Sequence, residues 1–442
     1  MIIIFAFTQQ WYLNNCGCAE NAFTDPATIE TMMSGSVKML VDMGWDGVKF
    51  DSCSQFHNLT HWAELVNKTS PRPVLIENCH QGAYTPGMVQ WQGFMKNSST
   101  GVLTHFLGMF FGMGTATILP GNSTFAACTK HCDSAGADCG GFAFTSTDAE
   151  PTPSTAIGAC YIMGANPRPN YMVMSNSNTC TGDSDPSDCP FNLYRVSGDI
   201  SNNWKSVLTN LEYTLPFLGE GGMHPPFPQD ATVRSRPGGW AYPDMLEVAN
   251  LANATEDRSH FGAWSIMSSP LILSFNLSDV KKMDRVWSII SNRGVIAINQ
   301  RWAGSPGRRI TNVINKGGAE ATGRGESWQA WAKPMGDKSF AIFMINTGET
   351  IVHASLPLRN VSQHFFAPSV PTCVKDYYTG KVHNTLSSVD FKATLNAHDS
   401  TMVCAWVGNC GDSDTKCPFP KPTNVALAGS DNYKGRSRGP IH

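Results

Sequence analysis

The sequence predicts an α/β fold built on a parallel sheet, followed by a separate antiparallel β domain. Strand-like apolar segments alternate with helix-like segments from Trp11 to Phe275, which is typical of parallel strands covered by helices. From about Gly304, alternating apolar and polar residues in short segments broken by Gly, Asn and Pro favour a β-sandwich. A chain of 442 residues is also too long for one ordinary core, so we expect more than one domain.

The first elements alternate between strand and helix. Asp25 followed by Pro26 predicts a helix start, because Asp caps the first turn and Pro fits its first position. The neighbouring elements are, in order, a strand ending at Trp11 to Asn15, a strand from Val48 to Asp51, a helix from His61 to Val66 and a strand from Pro73 to Cys79. The order is that of a parallel sheet with helical crossovers.

The alternation resumes after a long interruption. We expect a strand from Phe191 to Asp199, a helix from Trp204 to Tyr213, an irregular segment from Arg236 to Leu246, a helix from Arg258 to Ser268 and a strand from Leu271 to Phe275. The sandwich strands include Trp328 to Trp331, Phe340 to Ile345 and Thr401 to Val407. The predicted units are residues 1–120 and 183–303 for the two parts of the parallel fold, 121–182 for an insertion, 304–407 for the sandwich and 408–442 for a loose tail.

Two aspartates stand where predicted strands end. Asp51 closes the segment from Gly44 to Cys53, with Lys49 two residues earlier on the same strand face, and Asp199 closes a later strand. In parallel α/β barrels the active site lies at this end of the strands, so Asp51 is a candidate nucleophile. An Asp that only caps the following loop would fit the Asp51 segment equally well.

Composition excludes several function classes. The net charge is −3 and 15% of residues are charged, so no basic face for nucleic acid is expected. Residues 101–119 form a long apolar run, but its four Gly, three Thr and one His argue against a membrane span.

Fourteen cysteines, an even number, indicate disulfides and an oxidising compartment. Zinc is the alternative, but Cys16-x-Cys18 and Cys128-x3-Cys132 lack paired Cys-x2-Cys knuckles, so we expect no metal. Seven Asn-x-Ser/Thr sequons also favour a secreted, lysosomal or vacuolar glycoprotein. Met1 to Phe7 shows no signal peptide with a basic n-region.

Four ordered motifs carry a family resemblance. KFDSC (49–53), YRVSGDI (194–200), RPGGWAYPDML (236–246) and SPLILSFNL (269–277) resemble glycoside hydrolase family 27, the α-galactosidases and α-N-acetylgalactosaminidases. The resemblance covers roughly residues 11–100 and 183–406, and ENCH with CPFN resembles the plant and protist branch. It implies a (β/α)8 TIM-type barrel, a C-terminal antiparallel β-sandwich and retaining cleavage of terminal galactose-like sugars without a cofactor.

The resemblance also assigns roles to residues. It makes Asp51 the nucleophile and Asp199 the general acid/base, and it places Tyr12, Lys49, His80, Arg195, Asp244 and Met245 in the sugar pocket. A retaining glycosidase needs two carboxyl groups about 5 Å apart, one ionised and one protonated. Lys49 would favour ionised Asp51, whereas apolar surroundings and the charge of Asp51 would keep the proton on Asp199.

Two departures from the family motifs leave the identity of the substrate sugar open. After Cys79 the α-galactosidases carry Glu-Trp and a bulky apolar residue, whereas this chain has His80 to Ala83, and Tyr242 replaces the first Asp of an Asp-Pro-Asp motif. A terminal α-D-galactosyl residue is the expected substrate, from an oligosaccharide or glycoconjugate. The alternatives are a β-L-arabinopyranosidase, an α-N-acetylgalactosaminidase, or an inactive carbohydrate-binding relic.

The insertion resembles an apple (PAN-like) module, on Cys128, Cys132, Cys139-Gly-Gly-Phe-Ala-Phe and Cys160-Tyr-Ile-Met. Such modules bind glycans or proteins, and a spacer without a ligand is the alternative. Family resemblance further implies that Cys53 pairs with Cys16 or Cys18, and Cys79 with Cys189. Because family 27 barrels begin with two βα units before the Trp11 strand, we expect the natural chain to start upstream of Met1, which would also supply the signal peptide.

Overall fold

A computed structural model describes residues 10–13, 23–51, 59–79, 90–97, 100–107, 117–119, 123–146, 154–158, 160–163, 190–215, 218, 235–314, 327–367 and 369–412. Within them the helices are α1 (Pro26–Asp42), α2 (Leu59–Thr69), α3 (Phe125–Ser134), α4 (Trp204–Tyr213), α5 (Ala254–Ile266), α6 (Val280–Ile290) and α7 (Arg293–Gln300). The strands are β1 (Gln10–Leu13), β2 (Gly47–Asp51), β3 (Leu75–Cys79), β4 (Gln90–Lys96), β5 (Leu103–Leu107), β6 (Thr117–Ile118), β7 (Ser123–Thr124), β8 (Gly141–Ser146), β9 (Ile157–Gly158), β10 (Cys160–Met163), β11 (Leu193–Arg195), β12 (Trp240–Tyr242), β13 (Arg308–Ile314), β14 (Ser327–Gly336), β15 (Ser339–Asn346), β16 (Val352–Leu356), β17 (Pro371–Asp376), β18 (Val382–Leu386), β19 (Phe391–Leu395) and β20 (Ser400–Val407).

A five-stranded sheet in the order β1-β2-β3-β11-β12 forms the first part of the fold, and all its neighbouring strands are parallel. Helix α1 begins as the sequence predicts: the Asp25 side chain accepts a hydrogen bond from the Thr28 N–H at 2.8 Å, and Pro26 is the first helical residue. Helix α2 and strands β2 and β3 confirm the predicted alternation.

Alternation along β2 separates the two faces of this sheet. Val48 and Phe50 are fully buried in a cluster with the apolar residues of α1 and α2, and the Phe50 ring stacks on Trp62 at 4.7 Å. Lys49 and Asp51 therefore point to the opposite face, because successive side chains of a strand alternate. We call the first the helix face and the second the polar face.

The insertion is an antiparallel sheet in the order β5-β4-β8-β10-β6, packed beside α3 and bridged by Cys128–Cys160 and Cys132–Cys139. The boundary expected at residue 121 stays a prediction. Strand β4 pairs with β8 over six residue pairs, so this sheet also takes in residues that precede that boundary. The sequence hid this because β4 and β8 are far apart along the chain. The ligand of this unit stays a prediction.

The C-terminal domain is antiparallel, as predicted. Its six-stranded sheet runs β13-β14-β15-β20-β17-β18, and β16 pairs with β19. At the start of the tail predicted from residue 408, Cys410 is bridged to Cys373 of β17 and begins a short 3-10 turn. Residues 413–442 lie outside the described chain.

Helices α5 to α7 join the barrel part to the sandwich. Helices α6 and α7 were not predicted, and the predicted strand at Leu271–Phe275 is reduced to a parallel bridge between Leu273 and Leu246. Lys333 of β14 is fully buried and donates to Ser268 Oγ at 2.6 Å and Asn299 O at 3.0 Å. These contacts fix the sandwich against the helices. None of the helices described here is long and apolar enough to cross a membrane.

Candidate active site

The polar face carries titratable residues in register across adjacent strands. Tyr12 of β1 pairs with Lys49 of β2, and Lys49 pairs with Glu77 of β3. One layer further along the strands, Asp51 pairs with Cys79. In-register residues of parallel strands point the same way, so these side chains share one surface.

Asp51 is the last residue of β2 and is partly exposed. The Lys49 ammonium lies 4.7 Å from the centroid of the Tyr12 ring, a cation–π contact that holds this charge on the polar face. Tyr12 is 42% exposed. The arrangement leaves a carboxylate at the strand end, with a cation two residues below it and an accessible aromatic ring beside the cation.

Arg195 connects the far side of the polar face. Its side chain has no exposed surface, and Nη2 lies 2.5 Å from Asp244 Oδ2 and 2.8 Å from Asp199 Oδ1. Nη1 lies 3.6 Å from Cys79 Sγ. A buried guanidinium is stable here because two carboxylates compensate its charge. Arg195 thereby joins the ends of β3, β11 and β12.

Asp244 fixes the loops around this guanidinium. Its Oδ2 accepts a hydrogen bond from the Ile200 N–H, and its Oδ1 accepts one from the Met245 N–H, both at 2.8 Å. Its carbonyl accepts a hydrogen bond from the Trp264 indole N–H at 2.8 Å. These bonds hold Asp244 in a left-handed backbone conformation with φ of 86°, which few non-glycine residues adopt. Three hydrogen bonds therefore stabilise this strained backbone conformation.

Asp199 lies in different surroundings from those the sequence predicts. Its side chain is 91% exposed and pairs with Arg195, so the expected apolar environment is absent. The reason is its position: Asp199 follows the end of β11 by four residues and lies in the loop before α4, outside the packed sheet.

The structure brings together most of the predicted site residues that it describes. Arg195 contacts Asp199 and Asp244, Lys49 contacts Tyr12, and the Met245 backbone is held by Asp244. His80, Cys16, Cys18, Cys53 and Cys189 lie outside the described residues. The predicted Cys79–Cys189 bridge is not formed, because Cys79 is a buried free thiol facing Arg195.

Glu77 is the site residue that sequence reasoning missed. It is 1% exposed, and burial raises the pKa of its carboxyl to about 7. Burial also raises the pKa of Tyr242, which pairs with Arg195 across β11 and β12, well above its usual range. The available signal was the two-residue spacing of Glu77 and Cys79, which places both on one strand face.

Groups of three or more His, Cys, Asp or Glu side chains that could hold a metal ion do not occur among the described residues. The polar face thus presents carboxyl groups, a lysine and an arginine, which are suited to acid–base and nucleophilic chemistry on a hydroxyl-rich molecule.

Two family models match consecutive parts of the chain. A model described as alpha galactosidase A matches residues 159–301, and one described as the alpha galactosidase C-terminal beta sandwich domain matches residues 325–404. Together they span about half of the chain; the first covers Arg195, Asp199 and Asp244, and the second covers most of the C-terminal antiparallel domain. The chain belongs to the α-galactosidase family, glycoside hydrolase family 27.

Relatives of this family match over different lengths. A probable alpha-galactosidase of Dictyostelium discoideum is 26% identical over 80% of this chain and 88% of its own length. Alpha-galactosidase 3 of Arabidopsis thaliana is 26% identical over 55% and 53%, and an alpha-galactosidase of Lachancea cidri is 39% identical over 25% and 23%. The chain therefore spans most of the first relative but about half or less of the other two.

Among solved structures, an alpha-galactosidase of Saccharomyces cerevisiae has a TM-score of 0.49 at 14% identity, over 86% of this chain and 76% of that one. Alpha-galactosidase I of Mortierella vinacea has a TM-score of 0.47 at 16% identity, over 85% and 71%. Family membership rests on the sequence matches.

Proposed function

We propose that the chain is a retaining exo-glycosidase that hydrolyses terminal α-D-galactosyl residues from oligosaccharides or glycoconjugates. Membership of the α-galactosidase family supports the reaction class. The observation that carries the proposal is the polar face itself, where Asp51 ends β2 beside Lys49 and Arg195 holds Asp199 and Asp244.

In the first step, a carboxylate oxygen of Asp51 forms a bond to the anomeric carbon as the glycosidic C–O bond breaks. Asp199 gives its proton to the departing oxygen. Water then attacks the glycosyl–enzyme ester from the side of the departed group, its proton passes to Asp199, and Asp51 leaves as a carboxylate. Two displacements at one carbon return the starting configuration.

Lys49 and Arg195 have different tasks in this scheme. Lys49 favours the ionised form of Asp51, because it is a cation on the same face of the same strand. Arg195 orients Asp199, but pairing with a guanidinium favours a carboxylate over a carboxylic acid. Asp199 must therefore exchange Arg195 for the glycosidic oxygen when substrate binds, which its 91% exposure allows.

The function is tested with a panel of nitrophenyl glycosides that includes α-D-galactoside, α-N-acetylgalactosaminide and β-L-arabinopyranoside. We expect the α-D-galactoside to be the best substrate, and we expect proton NMR to show the α anomer as the first product. An initial product of inverted configuration would contradict Asp51 as a nucleophile, and activity on the arabinoside alone would move the specificity away from galactose.

The matched pair of variants for this test is Asp51→Asn and Asp46→Asn. Asp51→Asn should lower kcat by at least about 10⁴-fold while sugar binding persists, since only the attacking atom is lost. Asp46 ends no active-site strand; it pairs with Arg72 at the other end of β2, so its amide variant should keep wild-type turnover. Equal losses in both variants would point to misfolding rather than to a missing nucleophile.

Three bridges join described residues, Cys128–Cys160, Cys132–Cys139 and Cys373–Cys410, and they support a proposal that the protein is secreted or enters a lysosome or vacuole. Peptide mapping of secreted protein without reduction should recover these three pairs. Free thiols at these positions in active protein would contradict an oxidising compartment.

A further inference from the structure

Glu77 lies in the middle of the polar face and has no part in the two displacement steps. It is 1% exposed and pairs in register with Lys49 on one side and Leu193 on the other. Asp51 and Cys79 form the next layer toward the strand ends. Glu77 is therefore below the nucleophile, on the neighbouring strand.

One carboxyl oxygen of Glu77, Oε1, is buried without a hydrogen-bond partner among the described residues. Among the residues that the structure describes, no Lys, Arg or His forms an ion pair with it; the pairs on this face join Arg195 to Asp199 and Asp244. A buried ionised carboxylate without such partners is strongly disfavoured, whereas a neutral carboxylic acid is tolerated.

Charged and titratable groups surround Glu77 on the polar face: Lys49 and Asp51 of β2, Arg195 of β11, Tyr242 and Asp244 of β12 and the residues after it, and Cys79 of β3 itself. Tyr12 lies one strand further away, in register with Lys49. Burial is the largest effect on the pKa of Glu77. Lys49 and Arg195 favour the ionised form, while Asp244 and Asp51 oppose it, and the result is a pKa of about 7.

We propose that Glu77 is a positioning residue that must stay protonated during turnover. Neutral Glu77 does not compete with Asp51 for the positive charge of Lys49. This inference rests on the proposed function and deepens it. Once Glu77 ionises, it adds a second negative charge in register with Lys49, which draws the ammonium from its place over the Tyr12 ring toward β3 and away from the layer that holds Asp51. Activity then falls as pH rises through the titration of Glu77.

The test is the pH dependence of kcat/KM for an activated aryl α-galactoside. With such a leaving group the first step needs no proton from Asp199, so titration of Asp199 does not affect the alkaline limb. For wild type we expect kcat/KM to be about tenfold lower at about pH 8 than at about pH 6, the change expected for a group that titrates midway. In Glu77→Gln the same ratio should be close to one, because the amide cannot ionise.

The matched control is Glu212→Gln, which replaces a carboxylate that pairs with Arg309 away from the polar face. This variant should keep the wild-type ratio of kcat/KM between the two pH values. A purely structural role of Glu77 would lower activity by the same factor at every pH. An unchanged alkaline limb in Glu77→Gln would therefore overturn the proposal.

Infrared difference spectroscopy of wild type gives a second readout that needs no folded variant and no substrate. We expect the C=O stretch of a protonated carboxyl group to disappear with a midpoint near pH 7 and together with the loss of kcat/KM. A fall in activity without loss of such a band would overturn the proposal. If the protein hydrolyses no glycoside of the panel, the proposed function fails, and the infrared midpoint alone decides whether Glu77 holds a proton.

Discussion

The two faces of the five-stranded sheet are built from alternate residues of the same strands, but one face is apolar and the other carries charged groups. On the helix face, Val48 and Phe50 are fully buried against apolar neighbours. On the polar face, Lys49, Glu77 and Arg195 lie close together although charged groups are costly to bury. The helix face buries apolar side chains and so stabilises the sheet, whereas the polar face keeps the charged groups that we propose carry out the chemistry.

The largest expected effect on the polar face, after the loss of Asp51, is that of Asp199→Asn. For a poor leaving group such as an alkyl galactoside, kcat/KM should fall by about 10²- to 10⁴-fold, because no acid protonates the departing oxygen. An activated nitrophenyl galactoside needs no proton and should lose far less in kcat/KM. Stopped assays with both substrates measure the difference.

The control for this prediction is Asp133→Asn, which alters an exposed carboxylate that pairs with Lys96 in the insertion. It should leave the ratio between the two substrates unchanged. Equal losses of the alkyl and nitrophenyl substrates in Asp199→Asn would mean that Asp199 is not the proton donor, and the two faces would then differ less in function than we infer.

On the helix face the expected effect is on stability. Phe50→Ala removes a fully buried ring that stacks on Trp62, and should lower the free energy of unfolding by about 3–5 kcal/mol. Chemical denaturation followed by circular dichroism measures this loss. Phe23, which is 38% exposed, is the matched control, and Phe23→Ala should cost less than about 1 kcal/mol.

Strand alternation also explains how much of the site could be predicted from sequence. The strand end at Asp51 and the helix start at Asp25 depend on local signals, apolar periodicity and a capping side chain, and the structure has both. The position of Arg195 beside Asp244 follows from parallel pairing of β11 with β12, which a motif match can indicate. Each of these features depends on residues that are close in sequence or recur as a recognisable motif.

Other features depend on contacts that no local pattern encodes. Pairing of β4 with β8 crosses about fifty residues, so no local pattern indicates that β4 belongs to the antiparallel sheet of the insertion. The contact of the Cys79 thiol with Arg195 and the exposure of Asp199 in the loop after β11 are both features of the tertiary structure. Glu77 was missed because its importance comes from its burial. The sequence of a short strand does not show that a charged residue in it is buried.

The smallest expected effect concerns Glu77 and the pH dependence of folding. Its pKa is about 7 in the folded protein and 4.5 as an ordinary Glu, so between these values the folded state holds a proton that the unfolded state has released. Stability from this group is complete below about pH 4.5 and is lost as pH rises through about 7, a total of about 3 kcal/mol. Glu77→Gln should lack this loss.

His260 acts in the opposite direction: burial lowers its pKa to about 3, so its contribution is lost as pH falls. Because His260 is present in both proteins, subtracting the unfolding free energies of wild type from those of Glu77→Gln at each pH cancels its effect. A difference that grows by about 3 kcal/mol between about pH 4.5 and about pH 7 is expected from urea denaturation, and a constant difference would show that folding does not raise the pKa of Glu77.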